Sequence, residues 1–443
     1  MRGRGLILAA PQSGSGKTLI AAGLMRHLVQ RGIVVASAKA GPDYIDPTFH
    51  VLAGVPVGCN LDTWAMRPGT LTSLINELER QAEIVVCEGV MGLFDGGGPT
   101  GEAGSTAELA RMTGWPVVLV VDAGGQGASV AALVAGFARH DPLVPLAGVI
   151  LNRVASERHR ALLIDALARH LPGQPVLGVL RRDTALILPS RHLGLVPAGE
   201  EADRAKAAID RAAARIAADF DVDRLLALAR TSHGDAPPAA PPGFPRFGRH
   251  IAIALDDCFL FAYEAVAMGW RAQGVETSSF SPLADEAPNP GADAIYLPGG
   301  YPELHAGRLA SASRFLGSLR AAAATGKAIY GECGGYMAMG ETLTDANGAA
   351  YRMAGLLPLH TSFAEPRRQL GYRVAALLEP GRFFWGDATR FRGHEFHYAS
   401  IVGEGDADPL FAVADASGND LGHAGLRRGR IAGSFIHLID RED

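Results

Sequence analysis

The chain has 443 residues, a formal net charge of −5 at pH 7, and 20% charged residues. This acidic balance argues against nucleic acid or an anionic membrane surface as the main partner, because both attract basic proteins. It has no apolar run of about 18 residues, and its four cysteines are scattered. We therefore predict neither a transmembrane helix nor a disulfide framework, and expect a cytoplasmic enzyme.

The N-terminal half alternates short apolar runs with helical stretches. Continuous apolar runs between helical patterns are typical of parallel strands that are covered on both faces. These runs lie at 5–10, 33–38, 84–87, 117–121 and 147–151. A stretch without glycine or proline, 200–230, predicts a final helix. The pattern indicates an α/β domain with a parallel sheet.

A phosphate-binding loop follows the first predicted strand and leads into a helix that we predict over 18–30. The loop consists of Gln12, Ser13, Gly14, Ser15, Gly16, Lys17 and Thr18. Its backbone N–H groups can bind phosphates, its lysine can bridge them, and its threonine can hold Mg²⁺. Pro11 replaces the usual first glycine of the motif. The pattern predicts a nucleotide site, with an ordinary Gly/Ser turn as the alternative.

Polar residues cluster near the ends of the neighbouring predicted strands. They are Lys39, Asp43, Asp46, Glu88, Asp95 and Asn152. Open α/β sheets bind ligands at the carboxyl ends of their strands. Glu88 is therefore the first candidate for a metal ligand, and the Asn152 amide could read a nucleotide base. Turn and helix-cap roles remain the alternatives for the two aspartates nearest Lys39, as does a strand-end turn for Asn152.

A proline-rich stretch, 231–247, predicts a linker between two domains, 1–230 and 248–443. Beyond this linker the apolar runs resume. They lie at 250–255, 294–297, 328–330 and 431–436. An insert with alternating charged and aromatic residues, 351–398, has a more β-like pattern. The second domain is therefore also predicted to be α/β.

Cys333 lies between a short apolar run and a predicted helix, and three glycines surround it. A strained glycine turn with a helix N-terminus can expose a nucleophilic thiol and lower its pKa, whereas a buried structural cysteine is the alternative. The backbone N–H groups of Gly300 and Gly334 could form an oxyanion hole. His437, at the end of the last apolar run, is the first candidate for the base.

His394 and His397 are the second candidate pair for that role. With Glu395 between them, they could also suggest a metal site. The spacing of a zinc-binding HExxH motif is absent, however, and the sequence shows no third ligand.

Six segments together resemble one enzyme family. They are 14–18, 41–47, 88–96, 297–303, 331–336 and 393–398. In this order, spanning nearly the whole chain, they are similar to the cobyrinate and hydrogenobyrinate a,c-diamide synthases. The resemblance implies a P-loop NTPase-like, dethiobiotin-synthetase-like domain with a parallel sheet, followed by a class I glutamine amidotransferase-like α/β domain.

The resemblance also implies the reaction and its partners. Cys333 and His437 would release ammonia from L-glutamine, and ATP with Mg²⁺ would activate the a and c carboxylates of a corrin as acyl phosphates in cobalamin biosynthesis. The loop 12–18, Lys39 and Asn152 would bind ATP. The metal would lie near Thr18, Asp46 and Glu88. The corrin would face Asp43, Tyr44, Asp46 and Asp95.

Several alternatives remain open on sequence grounds. Many class I amidotransferases have a glutamate two residues after the histidine, where this chain has Ile439 followed by Asp440, so the orienting acid is undecided. Cobyric acid synthase shares both domain types, and a ParA/MinD-like ATPase switch with an inactive amidotransferase module is a further reading. The alanine- and arginine-rich composition weakly favours a metal-free corrin over a cobalt corrin. A homodimer also remains open.

Overall fold

The computed structural model describes residues 2–55, 58–188, 200–233, 240, 243–244, 246–379 and 388–442. The chain forms two compact units. One comprises 1–64, 68–96 and 100–239, and the other comprises 65–67, 97–99 and 240–443. The predicted linker lies partly outside the described residues, so its bounds and the two domain limits stay predictions. Within the described part, no helix is both long and apolar enough to cross a membrane.

The first unit is built on a parallel sheet with helices between its strands. Its strands are β1 (Arg4–Ala9), β2 (Val35–Ala40), β3 (Gly58–Leu61), β4 (Ile84–Glu88), β5 (Val117–Asp122), β6 (Leu146–Val154) and β7 (Val176–Arg181). Its helices are α1 (Lys17–Gln30), α2 (Asp46–Leu52), α3 (Pro68–Gln81), α4 (Thr106–Thr113), α5 (Ser129–His140), α6 (Glu157–His170), α7 (Glu200–Asp219) and α8 (Val222–Leu228). The strand order is β3-β2-β4-β1-β5-β6-β7, and these strands pair in parallel.

Packing explains the apolar character of this sheet. Every residue of β2 and of β4 is buried, as expected for parallel strands covered on both faces. Helices α1 and α7 approach closely, because a Cβ atom added at Gly23 would lie 2.8 Å from the Ala212 Cβ atom. The prediction of a single helix over 200–230 is wrong, because the structure has two helices there. The first, α7, ends at Asp219. Asp221 then caps α8 by accepting a hydrogen bond from the Arg224 N–H at 3.1 Å.

Within the described residues, the second unit combines a mixed sheet with four α-helices, two short 3₁₀-helices and a small second sheet. Its helices are α9 (Glu264–Ala272), α10 (Ala306–Ser311), α11 (Ser313–Ala324) and α12 (Gly334–Met339). Its strands are β8 (His250–Ala254), β9 (Glu276–Phe280), β10 (Ala294–Leu297), β11 (Ala328–Glu332), β12 (Thr342–Thr344), β13 (Ala350–Arg352), β14 (Leu359–Ser362), β15 (Gln369–Leu377), β16 (Arg390–His397), β17 (Ser400–Glu404), β18 (Asp408–Asp415), β19 (Asp420–Arg428), β20 (Ile431–Ser434) and β21 (Ile436–Arg441).

The larger sheet has the order β21-β16-β15-β18-β19-β20-β11-β10-β8-β9, and the smaller has the order β13-β12-β14-β17. Pairing is parallel from β20 to β9 and antiparallel from β21 to β20. The β-like insert predicted over 351–398 does contain strands, of which β15 and β16 form a long antiparallel pair. The strand predicted over 431–436 is divided, because the chain leaves β20 and enters β21 at Phe435.

A buried carboxylate holds three segments of the first unit together. Glu79 of α3 accepts hydrogen bonds from Trp115 Nε1 at 3.1 Å and from the Ser232 N–H at 2.6 Å. It also forms an ion pair with Arg2 Nε at 2.7 Å, although the Glu79 side chain is fully buried. Its partners lie before β1, before β5 and after α8, so this carboxylate fixes both ends of the unit.

We expect Glu79→Ala to lower the free energy of unfolding of the first unit by about 3 kcal/mol, because the buried donors would lose their acceptor. Scanning calorimetry would measure the loss. Glu77→Ala, on the same helix, is the matched control. Glu77 pairs with the exposed Arg80, and exposed pairs contribute little to stability. Equal losses in both variants would contradict this role of Glu79.

Candidate functional site

The carboxyl ends of the parallel strands in the first unit border a cleft of about 900 Å³. The phosphate-binding loop follows β1, and residues at the ends of β2, β4 and β6 face the same cleft. The predicted residues that line it are Ser13, Gly14, Gly16, Lys17, Thr18, Lys39, Asp43, Asp46, Glu88 and Asn152. The lining does not include Gln12, Ser15, Tyr44 or Asp95.

The phosphate-binding loop requires glycine where it enters α1. Gly16 has a φ of 91°, and a Cβ atom at this position would overlap the Asn152 Nδ2 atom. That nitrogen donates a hydrogen bond to the Ser15 carbonyl at 2.8 Å, while Asn152 Oδ1 accepts one from the Arg153 N–H at 2.9 Å. The Asn152 amide thus fixes the loop in this structure. Its contact with a nucleotide base stays a prediction.

Lys17 links this loop to the glycine-rich segment after β4. Its Nζ atom donates a hydrogen bond to the Met91 carbonyl at 2.6 Å, and Met91 has a φ of 42°. Burial and the neighbouring Lys39 charge lower the Lys17 pKa. The lysine therefore lies in a site where an additional anion would be favourable.

Lys39 lies fully inside the protein between two carboxylates. Its Nζ atom is 2.7 Å from Asp46 Oδ2, 3.3 Å from Glu88 Oε1 and 3.0 Å from the Gly89 carbonyl oxygen. Burial disfavours the ammonium charge, but the two carboxylates outweigh burial and raise the Lys39 pKa. Lys39 therefore stays protonated, and its ammonium group places a permanent positive charge at the floor of the cleft.

His50 belongs to the same network, although sequence reasoning did not select it. Its Nε2 atom lies 2.9 Å from Glu88 Oε2, and both side chains are buried. The sequence did contain one signal for His50, which was its spacing from Asp46. His50 follows Asp46 by four residues on α2, so both side chains lie on the same face of the helix.

The donor set of the cleft fits magnesium. The Thr18 hydroxyl donates to Glu88 Oε1 at 2.7 Å, and both groups are oxygen ligands of the kind that Mg²⁺ prefers. Among the described residues, no cluster of three His, Cys, Asp or Glu side chains could hold a metal alone. A magnesium ion here would therefore take further ligands from water and phosphate oxygens, as is usual for Mg²⁺.

The predicted corrin-facing residues have roles within the protein. Asp43 Oδ1 accepts hydrogen bonds from the N–H groups of Ile45 at 2.8 Å and Asp46 at 3.2 Å, which is the helix-start role weighed above. Asp95 Oδ2 accepts one from the Gly92 N–H at 2.9 Å. Tyr44 is buried. Their contact with a corrin stays a prediction.

Cys333 stands on a strained turn between β11 and α12 in the second unit. Its φ of 47° is rare for a residue with a side chain, and its N–H donates to the Ser434 carbonyl at 2.8 Å. The neighbouring glycines allow the turn to approach the end of β10. A Cβ atom at Gly334 would lie 2.9 Å from the Gly300 nitrogen, and one at Gly335 would overlap the Leu297 carbonyl oxygen.

Two backbone N–H groups act on the sulfur of this cysteine. Those of Gly300 and Gly334 favour the Cys333 thiolate and lower its pKa, whereas the neutral thiol donates to the Phe396 carbonyl oxygen at 3.9 Å. Burial and the Glu303 charge have the larger effect and raise the Cys333 pKa well above its usual value. The expectation of a lowered thiol pKa is therefore wrong for the protein without substrate, because burial outweighs the backbone donors.

His437 lies over the same glycine turn. A Cβ atom at Gly299 would overlap the His437 ring, so the structure brings together Cys333, His437, Gly300 and Gly334. Burial, followed by the charges of His394 and His397, lowers the His437 pKa to about 3, while a backbone hydrogen bond to Phe261 acts in the opposite direction. The imidazole is therefore neutral near pH 7 and can accept a proton.

Asp440 does not act as the acid that orients His437 in this structure. Its carboxylate accepts hydrogen bonds from the backbone N–H of Arg67 at 3.0 Å and from the Arg67 guanidinium at 3.1 and 3.2 Å. The Gly243 N–H adds another at 2.9 Å. Both oxygens of this carboxylate are thus engaged away from His437.

Glu332 is a second residue that sequence reasoning missed. It is fully buried, accepts a hydrogen bond from the Tyr296 hydroxyl at 2.7 Å and accepts another from the Leu438 N–H at 3.1 Å. Burial raises its pKa to about 8. Glu332 precedes Cys333 and Leu438 follows His437, so this carboxyl group ties the nucleophile turn to the strand of the base. An acidic residue ending an apolar strand was the available signal.

The alternative histidine pair lies on β16, next to the strand that carries His437. His397 Nε2 lies 2.9 Å from Glu395 Oε1, and its Nδ1 lies 3.0 Å from the Ala399 carbonyl oxygen. His394 pairs with His437 across β16 and β21. Burial lowers the His394 pKa to about 4. Within the described residues these side chains form no metal site.

Comparison with known proteins covers both units. Residues 6–196 match the model of a CobQ/CobB/MinD/ParA nucleotide binding domain, and residues 250–443 match that of a CobB/CobQ-like glutamine amidotransferase domain. The chain is 53% identical over 440 residues to a hydrogenobyrinate a,c-diamide synthase of Brucella anthropi, covering 99% of this chain and 98% of the relative. A Rhizobium meliloti protein of the same name is 52% identical over 437 residues, covering 98% of this chain and 99% of the relative.

We expect Gly16→Ala to weaken ATP binding at least tenfold, because the added methyl group meets the Asn152 amide that fixes the loop. Gly14→Ala is the matched control. Gly14 also has a positive φ, of 78°, but a Cβ atom there would meet no other atom within 4 Å. Titration calorimetry with ATP would measure both affinities. Equal losses would assign the effect to backbone strain alone.

We expect alkylation of Cys333 by iodoacetamide, without glutamine, to accelerate about tenfold per pH unit from pH 7 to 9 without levelling off. A raised pKa means that the thiolate fraction still grows at pH values where an ordinary thiol would approach saturation. Mass spectrometry of the labelled peptide gives the rate, and Cys333→Ser is the blank. A plateau below pH 8.5 would contradict the raised pKa.

Proposed function

Because the chain belongs to the hydrogenobyrinate a,c-diamide synthase family, we propose that it amidates the a and c side-chain carboxylates of hydrogenobyrinate. Membership of this family and the amidotransferase domain make the chain a glutamine-dependent amide-forming ligase in cobalamin biosynthesis. The use of ATP, the acyl-phosphate route, the identity of the corrin and a cytoplasmic location are the further parts of the proposal.

One observation carries the proposal: a single chain has a phosphate-binding cleft in one unit and a cysteine with two backbone donors in the other. A carboxylate is a poor acyl donor, so forming an amide from it requires activation as well as a nitrogen source. The cleft suits the first requirement, and the Cys333 site suits the second.

In the second unit, neutral His437 takes the proton of Cys333 as the sulfur attacks the side-chain amide carbon of glutamine. The Gly300 and Gly334 N–H groups donate to the oxyanion that develops on the amide oxygen. The imidazolium then gives its proton to the departing nitrogen, and ammonia leaves. Water hydrolyses the remaining thioester to glutamate and restores the thiol.

In the first unit, the backbone of the phosphate-binding loop orients ATP so that its γ-phosphate meets the corrin carboxylate. Lys17 and the fixed charge of Lys39 neutralise the phosphate oxygens during transfer. Magnesium, near Thr18, Asp46 and Glu88, supplies further charge neutralisation when bound. The carboxylate attacks the γ-phosphate to give an acyl phosphate and ADP, and ammonia then displaces phosphate to form the amide.

We expect Cys333→Ser to lose glutamine-dependent amidation by at least about 1000-fold and to keep ammonia-dependent amidation near the wild-type rate, because the exchange removes only the nucleophile. Mass spectrometry of the products, starting from hydrogenobyrinate or cobyrinate with ATP and either nitrogen source, would show each amide as it forms.

Two controls complete this experiment. Wild-type protein without ATP should form no diamide, and Cys258→Ser, which changes another buried cysteine of the same unit, should keep glutamine use. Wild-type protein that leaves both carboxylates of each corrin unamidated, with ATP and glutamine in excess, would overturn the proposed function. Amidation of cobyrinate alone would show that the substrate is the cobalt corrin instead of hydrogenobyrinate.

A further inference from the structure

Glu303 carries an enclosed carboxylate oxygen without a protein partner. The residue lies in a short 3₁₀-helix, 302–305, after the turn that provides Gly300. Its Oε2 atom is buried and has no hydrogen-bond partner among the described residues. Burial raises the Glu303 pKa to about 8. A buried carboxylate is costly unless a donor or cation satisfies it, so the position indicates a missing partner.

The segment that carries Glu303 packs against the nucleophile turn. The preceding residue, Pro302, borders the oxyanion donors, because a Cβ atom at Gly334 would lie 2.9 Å from the Pro302 Cδ atom. The Glu303 charge is also, after burial, the strongest influence that raises the Cys333 pKa. A ligand that reaches the sulfur therefore passes within range of the Glu303 carboxylate.

The neighbouring acids do not share this property. Asp256 accepts hydrogen bonds from the Cys258 N–H at 2.9 Å, the Ser281 hydroxyl at 2.9 Å and the Leu283 N–H at 2.7 Å, so it has a structural role. Asp257 is exposed to solvent. Glu303 is thus the acid in this part of the unit that combines enclosure, an unused oxygen and proximity to the sulfur.

We propose that Glu303 recognises the α-ammonium group of the glutamine substrate. The inference rests on the proposed function, which makes glutamine the ligand of this site. Glutamine is a zwitterion whose ammonium group stands four bonds from the amide carbon that Cys333 attacks. An ammonium group would supply both the donor and the positive charge that the enclosed carboxylate lacks.

Glutaramate, which is glutamine without its α-amino group, tests this contact. We expect wild-type protein to prefer glutamine in kcat/KM by about 30-fold or more, as for a buried charge pair. Glu303→Gln should lower kcat/KM for glutamine by a similar factor, mainly through KM, and leave kcat/KM for glutaramate unchanged. Glu303→Asp, which keeps the charge, should retain the preference. Asp257→Asn, on the neighbouring loop, should behave as wild type.

The outcomes separate this inference from the function on which it rests. Equal losses for both substrates in Glu303→Gln, or a preference for glutamine that survives the exchange, would overturn the role of Glu303 alone. Wild-type protein that releases no ammonia from glutamine would overturn the glutaminase assignment. Ammonia-dependent amidation, which bypasses Glu303, should stay at the wild-type rate in every variant and shows that the protein is folded.

Discussion

Buried and partly buried charged groups control both candidate sites. Lys39 is fully buried, and it keeps its proton because Asp46 and Glu88 approach its ammonium group. Glu303 is partly buried, its Oε2 atom is enclosed without such a partner in the part of the chain that the structure describes, and its pKa is raised. The low polarity of each site makes these interactions strong, so every group must be balanced by the protein or by a ligand.

Close backbone approach builds the remaining parts of each site. At Gly16 the loop passes so near the Asn152 amide that a methyl group would not fit, and at Gly334 and Gly335 the nucleophile turn packs against the turn after β10. Packing this close holds in place the backbone N–H groups that are proposed to bind phosphate and the oxyanion. Donors that are already fixed require little reorganisation during a reaction.

The sequence predicted the α/β class correctly, because buried parallel strands produce continuous apolar runs. It missed the edge strands β3, β7 and β9. β3 and β9 contain polar residues and no such run, and a glycine interrupts the short apolar run of β7. Motifs selected the residues around Cys333 and the phosphate-binding loop. His50 and Glu332 were not found, because their importance depends on partners that are distant in sequence. The raised pKa of the Cys333 thiol was not predicted either, because burial of this side chain depends on tertiary packing.

The hydrogen bond between Lys17 and the Met91 carbonyl occupies the ammonium group that the phosphate-binding loop offers to a ligand. A phosphate group that takes this ammonium as its counterion must compete with that carbonyl, so phosphate binding and the attachment of the glycine-rich segment, which also carries Asp95, oppose one another.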